Sequence, residues 1–249
     1  VIVQISDPHI GVEPAAEGRL AAAVERVRSL PQVPDLVVVT GDLTEHGDPA
    51  EYARVRELLA PLPAPVRVLA GNHDRRGPLR AAFGLPGAPD DPIAATVVVG
   101  DAEGTGAGAL RLVLVDTTIP GRDDGRLDVP ALARELDADR NTATIVAMHH
   151  PPMLVGVPIM DELGMPAADR AALGELLAQA PQVRAVIAGH VHRVAAGRVG
   201  PCPVLTLNST QIQARLDFAA TAFEILREPA MIAVHRLVDG ALVSHVQAV

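Results

Sequence analysis

Short polar clusters rich in Asp and His recur along the chain: Asp7-Pro8-His9, Gly41-Asp42, Gly71-Asn72-His73-Asp74, His149-His150-Pro151 and Gly189-His190-Val191-His192. They contain six of the nine histidines. Carboxylate, amide and imidazole are hard to borderline donors, and with no thiolate among them the set suits Mn²⁺, Fe or Zn²⁺ in a catalytic site. Asp-x-His and His-x-His share a geometric virtue. Alternate side chains of an extended segment face the same way, so both members can reach one cluster. A single ion would leave donors unused. The surplus, with carboxylates able to bridge, fits two ions about 3.5–4 Å apart, the arrangement used for hydrolytic displacement at phosphorus.

The elements that must position these groups are legible as apolar runs. Val1 to Ile5, Leu36 to Val39, Val66 to Leu69, Ile145 to Met148 and Val186 to Ala188 each read as a strand, and each runs directly into one of the polar clusters. Between them, Glu17 to Leu30, Pro49 to Leu59, Val129 to Asp137 and Ala167 to Ala180 carry helical periodicity. The alternation predicts an α/β layered domain, with functional groups gathered outside the carboxyl ends of the strands. From Pro203 the pattern changes to strands: Val204 to Leu207, Ala219 to Leu226, Met231 to Val238 and Ala241 to Ala248. Asp239-Gly240 between the last two is a hairpin signal. This tail is expected to form a second sheet or to extend the first, packed face to face. With no linker evident, residues 1–249 are expected to form one domain.

In this order, Asp7-x-His9, Gly41-Asp42, Gly71-Asn72-His73-Asp74, His149-His150-Pro151 and Gly189-His190-x-His192 resemble the signature blocks of the calcineurin-like metallophosphoesterase superfamily. "GDLTEHGDPAEY" and "MHHPP" followed by "MDELGM" resemble the bacterial class III cyclic-nucleotide phosphodiesterases and their glycerophosphodiesterase relatives. The resemblance implies a four-layer αββα sandwich. It implies a first metal on Asp7, His9, Asp42 and His192, a second on Asp42, Asn72, His149 and His190, and Asp42 as the bridge. It also implies a hydroxide held between the ions as nucleophile and His73 beside the leaving oxygen as proton donor. The expected reaction is hydrolysis of a small phosphodiester, first of all 3′,5′-cyclic AMP to the 5′-monophosphate. A glycerophosphodiesterase or a promiscuous phosphodiesterase or phosphatase is the alternative within the enzymes. A protein-binding scaffold on the same fold is the alternative outside them.

Several further residues carry expectations. Arg76 is a candidate for a substrate phosphate, as is its neighbour Arg75, through the planar guanidinium fork. His150 follows a ligand and is expected to point away from that metal, toward support or substrate. The irregular stretch Pro151 to Met165 reads as a lid or wall, with Met160 a candidate contact for the leaving group. Asn208 is a candidate polar contact in a second wall. His46 reads as an exposed loop residue, and His235 and His245 as structural.

Composition narrows the classes. All 21 basic residues are Arg, and 30 acidic residues leave the chain at −9, a poor balance for a nucleic-acid polymer. The single Cys202 makes no intramolecular disulfide, which fits a cytoplasmic protein. No run approaches the about 20 apolar residues of a membrane span, and the first residues read as a strand rather than a signal segment. Homodimer formation is left open. The Gly-rich Glu103 to Ala109 lacks the Lys and the following helix of a phosphate loop, and is expected to be a flexible hairpin loop. His-x-His also marks amidohydrolase barrels, but there it belongs on the first strand and often accompanies a carbamylated Lys. None of the four Ser lies in Gly-x-Ser-x-Gly.

Overall fold

Strands that end in a polar cluster must bury two apolar faces before they reach it, and the layering of the molecule follows from that requirement. A computed structural model describes residues 1–100 and 108–249. In chain order the first half contains β1 (Ile2–Ile5), α1 (Ala15–Arg28), β2 (Leu36–Thr40), α2 (Pro49–Leu59), β3 (Val66–Leu69), α3 (Arg76–Phe83), β4 (Ala95–Val99) and β5 (Leu110–Val115). Then come α4 (Val129–Asp137), β6 (Ala143–Met148), α5 (Pro158–Glu162), α6 (Ala167–Ala178), β7 (Val183–Ala188), β8 (Ala196–Val199) and β9 (Cys202–Thr206). The tail adds β10 (Gln213–Ala214), β11 (Ile225–Leu226), β12 (Met231–Val238) and β13 (Ala241–Ala248).

Two large sheets result, in the orders β13-β12-β1-β2-β3 and β4-β5-β6-β7-β9-β8, beside the two-stranded β10-β11. Strand alternation assigns the layers. Ile2, Leu36, Val38 and Leu69 of the first sheet meet Leu110, Leu112, Leu114, Ile145, Ala147 and Ile187 of the second in a shared core. The opposite face of the first sheet, through Val3, Ile5, Val37 and Val39, packs on Leu20, Val24, Tyr52, Val55 and Leu79 of α1, α2 and α3. On the far side, Val113, Val146 and Val186 pack on Leu132, Leu136, Leu173 and Leu177 of α4 and α6. The molecule is therefore the four-layer αββα sandwich. Burying both faces of the central strands explains why β1, β2 and β6 read as near-continuous apolar runs.

Local chemistry sets the helix starts. Asp48 and Glu51 form a capping box at α2, with Pro49 in the first turn, and the Asp128 carboxylate accepts from the Ala131 N–H at 2.9 Å to open α4. No described helix is long and apolar enough to cross a membrane.

The tail extends the sheets, one of its two expected arrangements: β9 lies parallel to β7 in the second sheet, β12 lies antiparallel to β1 and extends the first, and β10 with β11 forms a separate two-stranded sheet. Asp239 and Gly240 turn the β12–β13 hairpin with φ of 49° and 76°, both positive as a two-residue turn of this hand requires. Of the expected strand Ala219 to Leu226 only Ile225–Leu226 pairs, with Gln213–Ala214. Residues 221–226 are all exposed, so no buried face holds a longer strand. The short α3, with Gly77 and Pro78 in its first turn, gives no sequence signal of a helix start. The irregular 151–165 stretch holds the single-turn α5. Most of the Gly-rich Glu103 to Ala109 lies outside the described residues.

Candidate metal centre

The polar clusters sit at the carboxyl ends of five strands, β1, β2 and β3 of one sheet and β6 and β7 of the other. Where the two sheets meet at this end, the loops close on one another through their backbones. Asp7 N–H donates to the Gly41 carbonyl at 3.2 Å, and Gly189 N–H to the His149 carbonyl at 3.0 Å. Asp42 Oδ1 accepts the His73 N–H at 2.9 Å, and Asp7 Oδ1 accepts the His190 N–H at 3.0 Å, a bond that joins the two sheets.

Backbone conformation is unusual at this point. Asp7, His9, Asp42, His190 and His192 have φ of 50°, 44°, 47°, 68° and 49°, in the left-handed region that costs most side chains. Such strain persists only where the surrounding structure over-determines it. Close approach adds to it: a Cβ on Gly189 would strike the Ser6 hydroxyl and the Asp7 carboxylate, and one on Gly71 would strike Asp42. These glycines let neighbouring loops touch at the site.

Asp7, His9, Asp42, His149, His190 and His192 are all buried. Their hydrogen bonds fix which ring nitrogens remain as lone pairs. His149 Nδ1–H donates to the Thr40 carbonyl at 2.8 Å, so its Nε2 lone pair faces Asn72 Oδ1 at 3.0 Å and Asp42 Oδ2 at 3.4 Å. His190 Nε2–H donates to the Leu163 carbonyl at 3.1 Å, turning its Nδ1 lone pair to Asn72 Oδ1 at 3.0 Å. His9 Nδ1–H donates to Glu45 at 2.8 Å, turning its Nε2 toward His192 Nε2 at 3.1 Å and Asp42 Oδ2 at 3.5 Å. His192 Nε2 also lies 3.6 Å from Asp7 Oδ1.

These are acceptors facing acceptors, an arrangement that is repulsive unless a cation or proton lies between them. Ligand atoms about 2.1 Å from one ion are separated by about 3.0–3.4 Å in octahedral or tetrahedral arrangements, close to the spacings here, which run from 3.0 to 3.6 Å. Imidazoles that ligate metals usually donate their other N–H to a carbonyl or carboxylate, as His9, His149 and His190 do. The residues therefore fit metal ions, in two groups that share Asp42. One collects Asp7, His9, Asp42 and His192, all within ligand distance of one another. The other collects Asn72, His149 and His190 beside Asp42.

With the protein's own charges alone, the electrostatics point the same way. Burial disfavours a charged His149, yet Asp42 and Asp7 outweigh it and raise its pKa to about 9, so that a proton is drawn to the cation's place. Burial likewise raises Asp7, to about 6, while burial of Asp42 is outweighed chiefly by His149, which holds that carboxyl well below its usual range. His190 and His192 are held well below the usual histidine value, first by burial and then by neighbouring imidazoles.

His73 lies at the rim. Its ring packs edge-on against His9 at 4.8 Å, and Nδ1–H donates to the Glu45 carbonyl at 3.1 Å, leaving Nε2 without a partner among the described residues. Asp74 is a clasp. Its carboxylate accepts from the N–H groups of Gly71, Leu43 and Thr44 and from the hydroxyls of Thr44 and Tyr52.

The proposed substrate contacts are placed differently. Arg76 is engaged by Asp116 Oδ2 at 2.9 Å, the Thr118 carbonyl at 3.0 Å and the Asp90 carbonyl at 3.1 Å, and works as a strut. Its neighbour Arg75 is the exposed one, 3.8 Å from Asp48, and both line a cleft of about 460 Å³ that reaches Asn72. His150 is fully buried, with Nδ1 accepting from the Thr117 hydroxyl at 2.8 Å and Nε2–H donating to the Asp123 carbonyl at 3.1 Å. That engagement, with a pKa pushed down to about 3 by burial and by His149, makes it a neutral wall behind the centre. Met160 packs with Val157 and Val191 beneath the surface, and Asn208 Oδ1 accepts the Val194 N–H at 2.7 Å. His46 is exposed and bonded to Glu51.

Sequence reasoning misses Glu45, which orients His9 and fixes His73 through its carbonyl. The available signal is its position three residues beyond Asp42. It also misses the Leu163 carbonyl, for which the sequence offers none.

A family model for calcineurin-like phosphoesterases matches residues 1–194, all the polar strand ends included. The 3′,5′-cyclic adenosine monophosphate phosphodiesterase CpdA of Pseudomonas aeruginosa is 36% identical over 86% of this chain and 77% of its own length. A cAMP/cGMP dual specificity phosphodiesterase of Mycobacterium tuberculosis is 33% identical over 88% of this chain and 70% of its own. A probable glycerophosphodiester phosphodiesterase of Arcobacter nitrofigilis is 29% identical over 94% and 88%. Among solved structures, a purple acid phosphatase from yellow lupin superposes with a TM-score of 0.70 at 14% identity, covering 99% of this chain and 51% of that one, a likeness of fold alone. With the ordered donor clusters, the sandwich that presents them and these relatives in agreement, the chain belongs to the calcineurin-like phosphoesterase family.

Proposed function

We propose that the protein is a two-metal phosphodiesterase that opens a 3′,5′-cyclic nucleotide, cyclic AMP first, to its 5′-monophosphate. The observation that carries this reading is the convergence of lone pairs from five strand ends on two points that share Asp42. One ion would be held by Asp7, His9, Asp42 and His192, the other by Asp42, Asn72, His149 and His190, with Mn, Fe or Zn suited to the donors. Bound there, the metals supply an acidified water as nucleophile and offset charge on the phosphoryl oxygens. The chain's own residues do the rest. Glu45 and the carbonyls of Thr40 and Leu163 fix the imidazoles in the tautomers that aim lone pairs inward. His73, whose Nδ1–H is held by the Glu45 carbonyl, would act as the imidazolium, giving its Nε2 proton to the departing O3′ as the P–O3′ bond breaks and becoming the neutral ring. Fully buried His150 keeps bulk water from the back of the centre.

Both sheets furnish ligands to one centre, which supports the chain acting as a single domain. A net charge of −9 disfavours a polynucleotide, and Cys202, buried and unpaired, supports a cytoplasmic setting. The relatives named as acting on cyclic nucleotides support the substrate. A glycerophosphodiester is the second reading, supported by the Arcobacter nitrofigilis relative, which aligns with 94% of this chain.

Protein reconstituted with Mn²⁺, or with Fe and Zn²⁺, is to be assayed on 3′,5′-cyclic AMP, 2′,3′-cyclic AMP, glycerophosphocholine and a phosphomonoester. The expected order has 3′,5′-cyclic AMP first. Preference for glycerophosphocholine selects the second reading, and hydrolysis of the monoester alone overturns both.

A further inference from the structure

Strand β1 reads Ile-Val-Gln-Ile, and its Gln4 occupies an interior position with no exposure at all. A buried amide is costly unless satisfied, so its partners are informative. Its NH₂ donates to the Ala188 carbonyl at 3.0 Å and to Thr40 Oγ1 at 2.9 Å. The carbonyl can only accept, which fixes the orientation of the amide. Gln4 Oε1 must therefore receive, and it does so from His235 Nε2–H on β12 at 3.2 Å. That tautomer leaves His235 Nδ1 to accept from the Ser244 hydroxyl on β13 at 2.8 Å.

The other direction is equally constrained. The Ser6 hydroxyl lies against Asp7 Oδ2, a carboxylate with nothing to donate, so the Ser6 proton goes there. Ser6 Oγ then accepts from the Thr40 hydroxyl at 2.7 Å, much nearer than that hydroxyl's other acceptor, the Ile5 carbonyl at 3.4 Å, and Thr40 accepts from Gln4. Every link from Ser244 through His235, Gln4, Thr40 and Ser6 donates toward Asp7. With Oδ2 held by Ser6, it is Oδ1, which also accepts the His190 N–H at 3.0 Å, that turns a remaining lone pair to His192 at 3.6 Å.

We propose that Ser6, Thr40, Gln4 and His235 are positioning residues that form a one-way donor relay. It fixes Asp7 as a ligand through Oδ1 and sets the metal affinity of the centre. The proposal rests on the reading of Asp7 as a metal ligand. It extends the centre's support into the C-terminal hairpin, which lies beyond the family-matched residues 1–194. Successive donors in a low-dielectric interior polarise one another, so a break several bonds away is felt at the carboxylate.

The test is equilibrium binding of Mn²⁺ to the full chain, with the paramagnetic resonance spectrum of the bound ion as a second readout. Thr40→Val keeps the shape of the side chain and removes the hydroxyl. A loss of about tenfold or more in affinity with a changed spectrum is expected, as is usual for partners of metal ligands. Thr40→Ser restores both. Ser6→Ala matches the loss, and His235→Phe, at the far end, gives about a twofold to threefold loss and keeps the test decisive if Thr40→Val does not fold. Thr144→Val, at a buried threonine whose hydroxyl donates to the Thr142 carbonyl and to no member of the relay, leaves affinity unchanged. Affinity unchanged from wild type in either variant that folds, Thr40→Val or His235→Phe, or failure of Thr40→Ser to restore it, overturns the relay. Absence of Mn²⁺ binding by the wild-type chain overturns the metal reading itself, a distinct result.

Discussion

Asp74 offers the sharpest test of how the site is held together. Its carboxylate is the meeting point of two loops, one carrying Asp42 and the other Asn72 and His73. Oδ1 accepts from Thr44 N–H at 3.3 Å, Thr44 Oγ1 at 3.1 Å and Tyr52 Oη at 3.0 Å, and Oδ2 from Gly71 N–H at 2.9 Å and Leu43 N–H at 3.1 Å. Asp74→Ala strands three backbone donors. Each unsatisfied buried donor costs about 1–3 kcal/mol, and with water entering the vacated space the sum is about 3–5 kcal/mol. That is a large part of the about 5–15 kcal/mol by which domains are stable. Asp74→Asn costs less, for a reason visible in the donors. Placing the amide oxygen at Oδ2 keeps both of its backbone donors, and the NH₂ at Oδ1 faces two hydroxyls that can rotate to accept. One backbone N–H is lost, or about 1–2 kcal/mol. Urea unfolding in the presence of Mn²⁺, with metal content measured on the folded fraction, reads both. A loss below about 1 kcal/mol for Asp74→Ala, or equal losses for Ala and Asn, would refute this account.

Other perturbations separate chemistry from structure. His73→Ala should lower turnover by about 10²–10⁴-fold while Mn²⁺ content stays near that of wild type, whereas Asp42→Ala should lose both; equal metal loss in the two variants removes His73 from its role. Gly189→Ala forces a methyl group onto Ser6, Asp7 and the Thr40 carbonyl and should cost about 1–3 kcal/mol together with metal affinity; an unchanged melting temperature contradicts the close approach. His235 has a folded pKa pushed down by burial to about 4, against 6.5 in the unfolded chain. The unfolded state thus binds more protons between these values, so this group's stabilisation is complete above about pH 6.5 and is lost as pH falls toward 4, about 3 kcal/mol in all. Chemical unfolding of wild type and His235→Leu across pH 4 to 7 should show a shallower acid decline in the variant, and parallel curves would exclude His235 as the cause.

The strand ends were legible because both their chemistry and their positioning are local. An apolar run delivers Asp7 and His9 to its end, and the residue types declare the donors. The sandwich follows from the same runs, whose two buried faces demand layers on both sides. Roles that depend on distant segments were not legible. Arg76, a fair candidate for a phosphate by its place after the Asn72-His73-Asp74 cluster, spends its donors on Asp116 and Thr118, about forty residues on. His150 looks as available as His149 until Thr117 and the Asp123 carbonyl are seen to enclose it. Gln4, a single polar letter inside an apolar strand, was the visible trace of a network whose members are scattered from Ser6 to Ser244.

The left-handed backbone at Asp7, His9, Asp42, His190 and His192 also limits what the centre can become. Asp, Asn and His visit that region several-fold more readily than other side chains, and β-branched residues are outliers there. Chain geometry at these positions therefore acts as a filter on ligand chemistry, admitting carboxylate, amide and imidazole ahead of bulkier or branched alternatives. A ligand exchange such as His192→Asp suits the backbone it inherits, whereas His192→Thr must overcome a conformational penalty before any metal is offered a donor. On the proposed ligand set, a preference for hard and borderline ions would in this way be written partly into the path of the main chain, and redesign of metal selectivity would have to begin with the turns.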